Sequence, residues 1–246
     1  MCRHLAYLGP PVAIGQLLLD PPASLYRQSW APRLQQYGSM NADGFGVGWY
    51  ADHDPVPARY RRAGPVWADP SFADLVRVVR TGALLAAVRS ATDGCAAGEA
   101  AAAPFGAERW LFSHNGVLPG WPHQLGKLAA LLPPEELLNL AAGSDSALLW
   151  ALTLHRLRAG DPLDAALART VRETADHCAD ARLNLLLTDG TSIAATVWGD
   201  SLCYRTGPDS VVLASEPHDD LPGWIRPPDR SLLLADRGGV TVRPLG

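Results

Sequence analysis

Short apolar runs fill both ends of the chain, and helical spacing fills part of its middle. Residues 2–8, CRHLAYL, have the length and character of a strand. Two short helical pieces follow, IGQLLLD and SLYRQSW, separated by the breaker DPPA. In NADGFGVGWYAD a polar turn feeds a continuous apolar run, which predicts a buried strand over 45–51. ARYRRA (58–63) alternates and predicts its hairpin partner. DPSFADLVRVVR predicts a helix with Asp69 as cap, Pro70 in the first turn, and Phe72, Leu75, Val76 and Val79 on one face. ALLAAVRSAT and RWLFSHNG are strand-like runs that each end in polar residues. The small-residue stretch between them, DGCAAGEAAAAPFGAE, predicts a surface loop.

Helices are predicted over about 122–132, 144–158 and 162–180. The last two carry Leu148, Leu149 and Leu152, then Leu163, Ala166, Leu167 and Val171, at three-to-four spacing. Beyond 182 come RLNLLLTD, SIAATVWG, SLCYRT, SVVLASE, SLLLAD and GVTVRP, all short strands, with hairpin turns predicted at Asp189-Gly190 and Asp200-Ser201. Strands, helices, then a run of antiparallel strands indicate an α+β fold with two sheets and helices packed outside them. With no repeat and no long linker, residues 1–246 are expected to form a single domain whose C-terminal end docks in a sheet.

Composition narrows the function classes. Hydrophobic residues make up 48% and charged residues 19%, as in a water-soluble globular chain, and the net charge of −4 argues against a nucleic-acid surface. The cations are twenty arginines and one lysine, Lys127, scattered rather than clustered. No apolar run approaches membrane-spanning length and no signal peptide is legible, so a cytoplasmic location is expected. The cysteines, Cys2, Cys95, Cys178 and Cys203, form no CxxC pair, and the seven histidines show no metal-ligand spacing. No metal and no cofactor is therefore expected. GFGVGWY precedes no helix and lacks the dinucleotide spacing, so it reads as strand and turn.

The candidate chemistry begins at position 2. Removal of Met1 leaves a thiol and a free α-amine on Cys2. Such an amine titrates at about 7.7–8.0, so part of it is neutral near pH 7 and can act as the thiol's own base. The alternative is an ordinary cysteine in an edge strand. In SHNG, Asn115 and Gly116 can offer a side-chain amide and a backbone N–H to one oxygen, or can form a hairpin turn. In AVRSATDG, Arg89 and Thr92 end a strand, where the arginine suits bidentate capture of a carboxylate or a surface ion pair. In GSDSALL, Asp145 opens a helix and can hold an ammonium group or serve as a cap.

Taken together, MCRHLAYLG, NADGFGVGWY, RSATDG, APF, LFSHNG and SDSALL occur in the order found in the class II glutamine amidotransferases, the N-terminal nucleophile hydrolases with Cys at position 2, and the chain resembles that family over nearly its whole length. The resemblance is nearest to the family's stand-alone γ-glutamyl hydrolases of ergothioneine biosynthesis. It implies a four-layer αββα sandwich and cleavage of the γ-glutamyl amide of a hercynylcysteine sulfoxide conjugate. It makes Cys2 the nucleophile and Asn115 and Gly116 the oxyanion donors. Arg89 and Thr92 would hold the glutamyl α-carboxylate and Asp145 its α-ammonium. It places Asp43-Gly44 in the turn leading into the central sheet, near the site, with no chemical role assigned. Departures from the common pattern are Ser90 where tryptophan is frequent, Asp93 where histidine is frequent, and Ala101-Ala102-Ala103-Pro104-Phe105 in place of Asn-Cys-His-Pro-Phe. They argue against free glutamine as substrate and against ammonia channelling.

A chain of this length has no second site to consume ammonia, so hydrolysis of a small-molecule γ-glutamyl substrate without an obligate protein partner ranks ahead of a glutaminase subunit that feeds a separate synthase. Two further rivals are a Cys–His hydrolase with His114 or His4 as base, and a binding module in which Cys2 is inert. Trp30, Tyr37, Trp121 and Trp224 are candidates for facing a quaternary ammonium on the leaving group, or are core aromatics. Ser215-Glu216 ends a predicted strand and is a candidate pocket lining. Cys95, Cys178 and Cys203 are expected to be structural.

Overall fold

The computed structural model describes residues 2–246. Met1, whose removal the chemistry at Cys2 requires, lies outside the described residues. Twelve strands form two six-stranded antiparallel sheets. The first contains, in spatial order, β3 (Asp54–Arg62), β2 (Phe45–Ala51), β4 (Arg80–Val88), β1 (Arg3–Ala13), β10 (Ser210–Ala214) and β9 (Cys203–Gly207). The second contains β12 (Gly239–Pro244), β11 (Ser231–Asp236), β8 (Ile193–Val197), β7 (Arg182–Thr188), β6 (Trp110–Val117) and β5 (Phe105–Ala107).

Three apolar cores separate four layers, and strand alternation assigns each side chain to one of them. In β1, Ala6 and Leu8 enter the core between the sheets, while Leu5 and Tyr7 face outward. In β7, Leu186 enters the same central core, while Leu183, Leu185 and Leu187 face the other way. The outer face of the first sheet is covered by α1 (Gly15–Leu18), α2 (Leu25–Gln28) and α3 (Pro70–Val78) through Leu17, Leu25, Phe72 and Val76. The outer face of the second is covered by α6 (Asp145–Arg158) and α7 (Leu163–His177) through Leu148, Leu152, Leu167 and Val171. This is the expected αββα sandwich. Strands buried on both faces read as near-continuous apolar runs, which is why β1, β4 and β7 are legible.

The glycines of GFGVGWY have a steric cause. A Cβ on Gly48 would lie 2.7 Å from Leu111 Cδ1 of the opposite sheet, and one on Gly46 would lie 2.6 Å from the Ala103 carbonyl oxygen. Glycine there lets the sheets and the 101–105 segment approach β2. The expected cap of α3 is present: the Asp69 side chain accepts from Ser71 N, and Pro70 follows.

Four sequence expectations change. The first strand runs through Pro10 and Pro11 to Ala13, and its register against β4 shifts between Leu8 and Val12, an irregularity of the kind that tolerates proline. The stretch DGCAAGEAAAAPFGAE is not wholly a surface loop, since Ala101, Ala102 and Phe105 are buried and β5 pairs with β6. The helix expected over 122–132 is only α4 (Gly126–Ala129), followed by a second short helix, α5 (Pro134–Leu138), because Pro133 and Pro134 cannot continue the first. Asp200-Ser201 is not a hairpin turn, because β8 and β9 belong to different sheets. The unforeseen hairpin there joins β9 to β10, with Asp209 at a φ of 55°. Among the described residues no helix is long and apolar enough to cross a membrane.

Candidate active site

Cys2 stands just before β1, where β4 and β6 end and β7 begins. Alternation puts it on the inter-sheet side with Ala6 and Leu8. In β6, Trp110 and Phe112 face the helices and Leu111 faces the central core, so Asn115 turns to the same inter-sheet side. The two meet: the Cys2 backbone nitrogen donates to Asn115 Oδ1 at 3.2 Å. Asn115 is fully buried, and its Nδ2 has no hydrogen-bond partner among the described residues. A buried amide donor without an acceptor costs about 1–3 kcal/mol, so this one is poised for an oxygen that arrives from outside the protein.

Gly116 follows in strand geometry rather than in a turn. A Cβ there would lie 1.9 Å from the Arg182 carbonyl oxygen and 2.5 Å from His114 Nε2. Backbone and imidazole cannot both yield, so Gly116→Ala is expected to lower stability by about 1–3 kcal/mol and to remove most activity, read by thermal melting and turnover together.

The Cys2 thiol contacts the Ser90 carbonyl oxygen at 3.8 Å. Burial pushes the thiol up from its ordinary value, more than the nearby Arg89 guanidinium pulls it down, and Asp145 adds to the rise. The thiol therefore stays protonated near neutral pH and needs a base. Arg3, fully buried, donates from Nε to the Cys2 carbonyl oxygen at 2.9 Å and from a terminal nitrogen to Ser201 Oγ at 3.1 Å, fixing the residue from behind. The sequence reading missed Arg3, although a charge inside an otherwise apolar strand start was its visible signal.

Arg89 follows the last residue of β4, with its guanidinium turned into the loop beyond. It donates to the carbonyl oxygens of Asp43 at 3.2 Å and Ala96 at 2.9 Å. These bonds use two of its five N–H donors. The Asp43 carboxylate accepts from Ala91 N at 2.8 Å, so the NADG turn shapes this loop, a role not assigned from sequence. Thr92 sits half-buried in the loop, its carbonyl accepting from Cys95 N at 3.0 Å.

Asp145 is the first residue of α6, but the cap is Ser144, whose side chain accepts from Ala147 N. The buried Asp145 carboxylate accepts from Leu118 N at Oδ2 (3.1 Å) and from Ser146 N at Oδ1 (2.7 Å), with Ser146 Oγ 3.3 Å from Oδ1, so the remaining acceptor capacity lies chiefly on Oδ2. Cys95 contacts it at 3.6 Å, and burial first, then the Asp145 charge, push the Cys95 thiol up to about 11. Cys95 was read as structural; nothing in its spacing placed it beside Asp145.

Among the described residues, no hydrogen bond joins either histidine to the thiol. His114 Nε2 faces the Arg182 carbonyl oxygen at 2.9 Å and must carry a hydrogen, so Nδ1 accepts from Ser146 Oγ at 2.9 Å. Both nitrogens are occupied on the helix-facing side, and burial lowers the pKa, favouring this neutral form. His4 Nδ1 lies 3.2 Å from Ser113 Oγ, inside the sandwich.

Of the four aromatic candidates, Trp30 packs edge-on to Tyr26 and Trp67. Trp224 donates to Asp219 and packs on the outer core. Trp121 packs on the helix-side core. Tyr37 reaches this end of the sandwich, with the Arg182 guanidinium 4.2 Å above its ring centre, and Trp121 also lies beside Gly94 of the loop that carries Arg89. Ser215 Oγ accepts from His4 N of β1 at 3.0 Å, and the buried Glu216 carboxylate accepts from Arg33 N and Leu34 N, so Glu216 anchors the segment that leads to Tyr37.

Residues 21–220 match the sequence model of the family described as "Glutamine amidotransferases class-II". A protein of Mycolicibacterium smegmatis named gamma-glutamyl-hercynylcysteine sulfoxide hydrolase is 44% identical, with both chains covered in full. One of the same name from Mycobacterium tuberculosis is 43% identical, covering all of this chain and 97% of its own. The solved glutamine aminotransferase class-II domain protein of Silicibacter pomeroyi superposes with a TM-score of 0.69 at 26% identity over 99% of each chain. With the match spanning most of the sequence and the fold shared, the chain belongs to the class II glutamine amidotransferases.

Proposed function

We propose that this chain is a γ-glutamyl amidohydrolase that cleaves a γ-glutamyl-hercynylcysteine sulfoxide conjugate to glutamate and the freed amine, working in the cytoplasm without an obligate protein partner. The full-length relatives that carry this name support the substrate class. The observation that carries the mechanism is Asn115: one end of its amide holds the Cys2 nitrogen, and the other end is buried and unpartnered.

With Met1 removed, the Cys2 amine takes the thiol proton, directly or through one water. The thiolate attacks the γ-carbonyl carbon. The oxyanion that forms takes hydrogen bonds from Asn115 Nδ2 and the Gly116 N–H, donors worth roughly 2.7–4 kcal/mol each in comparable sites. The protonated amine passes its proton to the departing nitrogen as the amide bond breaks. The γ-glutamyl thioester then takes a water molecule, activated by the same amine. Glutamate leaves and the thiol is restored. Arg89, with Thr92, holds the glutamyl α-carboxylate, and Asp145 holds the α-ammonium; these contacts orient substrate and transition state alike.

The amine gives the reaction its pH dependence. Its free-base form grows as pH rises through the ordinary α-amine range of about 7.7–8.0, so kcat/KM is expected to climb across that interval and level off above it. A chain acetylated at Cys2, or carrying an uncleaved N-terminal extension, has an amide at that nitrogen and is expected to be inactive at every pH. Wild-type rates from such a chain would remove the amine from the mechanism. The substrate assignment is tested by incubating processed protein with glutamine, glutathione and the γ-glutamyl-hercynylcysteine sulfoxide conjugate and measuring glutamate from each. The conjugate is expected to have the highest kcat/KM; a preference for free glutamine would contradict the assignment.

A further inference from the structure

Arg182 stands across the seam from the glutamyl-binding residues. In the first sheet, Arg89 follows β4, on one side of β1, while β10 lies on the other. In the second sheet, β5 and β7 flank β6. The β5 side is the one beneath β3 and β4: a Cβ on Gly106 of β5 would touch Arg59 of β3, and the loop after β4 reaches Asp145 through Cys95. β7 is therefore on the far flank of the Cys2–Asn115 seam. If the glutamyl head lies toward Arg89 and Asp145, the leaving group extends toward β7.

Arg182 opens β7 on the inter-sheet side, alternating with Leu183 and in phase with Leu186. It pairs with Val117, and Asn184 pairs with Asn115, so Arg182 is the diagonal neighbour of the oxyanion amide, within reach of a long side chain. The fork is already oriented. Nε donates to Asp200 Oδ2 at 3.2 Å, and one face of the guanidinium lies on the Tyr37 ring. Asp200 is itself buried. The two terminal nitrogens have no hydrogen-bond acceptor among the described residues, and the side chain is about one-fifth exposed (21%). A guanidinium fixed through Nε and one face presents its end-on edge, the geometry that takes a carboxylate in two parallel hydrogen bonds.

We propose that Arg182, steadied by Asp200 and Tyr37, binds the carboxylate of an amino-acid leaving group. Resting on the hydrolase reading above, this makes the site selective for γ-glutamyl amides of α-amino acids over γ-glutamyl amides of simple amines. In a γ-glutamyl-cysteinyl conjugate that carboxylate is one carbon from the scissile nitrogen, and free glutamine has none there. The arrangement gives a physical reason for a hydrolase of conjugates rather than a general glutaminase.

Two probes isolate the group. γ-Glutamylglycine and γ-glutamyl methylamide differ only by the carboxylate on the leaving side. The wild-type ratio of kcat/KM, glycine compound over methylamide, is expected to be about 10 to 100 and to arise mainly in KM. In Arg182→Gln the ratio is expected to fall toward one, and in Arg182→Lys to lie between. A purely structural role would depress both substrates together and leave the ratio unchanged, which overturns the proposal; so does a wild-type ratio near one. Calorimetric binding of the same compounds to Cys2→Ala, with and without Arg182→Gln, reads the preference without turnover. Equal affinities there overturn the Arg182 assignment, whereas selective binding with no glutamate release from the wild type overturns the hydrolase reading alone.

Discussion

Cys2→Ala is expected to reduce glutamate release by about 10⁴-fold or more while leaving the sandwich folded. The size follows from the role, since a covalent nucleophile acts with its base and oxyanion donors as one unit, and removing it forfeits the whole pathway. The fold is expected to survive because alanine keeps the Cys2 backbone contacts and removes only the thiol, with its 3.8 Å approach to the Ser90 carbonyl oxygen. Arg3, His4 and the apolar remainder of β1 stay in place. Glutamate release and a circular-dichroism melt on the same sample separate the two effects. Wild-type turnover by the variant would end the account. Cys2→Ser keeps the amine and the geometry but raises the intrinsic pKa of the attacking group, so it is expected to fall between wild type and Cys2→Ala.

The second large effect is at Asn115. Asn115→Ala is expected to lower kcat by roughly 10²–10³-fold with little change in KM, because the Nδ2 donor matters only once charge develops on the carbonyl oxygen. The variant also loses the acceptor that orients the Cys2 nitrogen, so the upper end of that range is expected. Asn115→Asp separates the two functions. It keeps an oxygen for the amine but sets a carboxylate where negative charge must form, so it is expected to be at least as damaging as alanine. Near-normal kcat in Asn115→Asp would show that this amide does not donate to the transition state.

The legible parts of the molecule were those written in local pattern. Strands buried on both faces show as unbroken apolar runs, so β2 and β7 could be placed from their residues, and α6 and α7 announced themselves by three-to-four spacing. Pairings set by tertiary packing were not legible. Asp200-Ser201 has the residues of a hairpin turn, yet β8 and β9 part there into different sheets. The alanine-rich stretch before β5 looks solvent-loving in its small residues, yet Ala101 and Ala102 are small because the chain passes close beneath β2 and β3.

The candidate site divides the same way. Cys2, Arg89, Asn115, Gly116 and Asp145 sit at element ends with distinctive chemistry, and the ordered motifs named them together. Of their partners, Arg3 had only the signal of a charge in an apolar strand start and Asp43 only its place in a motif turn, while Cys95 and Arg182 lie in sequence contexts that signal nothing of the seam, because what unites them is the stacking of one sheet's end on the other's. The cap at α6 shows the limit within a single motif: both Ser144 and Asp145 are good cap residues, and only the structure shows the serine taking that role, which frees the carboxylate to face the loop.

The central claim is that the first residue of the processed chain carries the glutamyl group between the two halves of the reaction. Acid-quenching the enzyme during turnover of a γ-glutamyl substrate, followed by peptide mass spectrometry, tests it most directly. The account predicts one glutamyl increment on the N-terminal peptide beginning at Cys2, labile to hydroxylamine as a thioester is, and absent from Cys2→Ala. Sustained turnover with that peptide unmodified throughout, or with the glutamyl group on another residue, would contradict it.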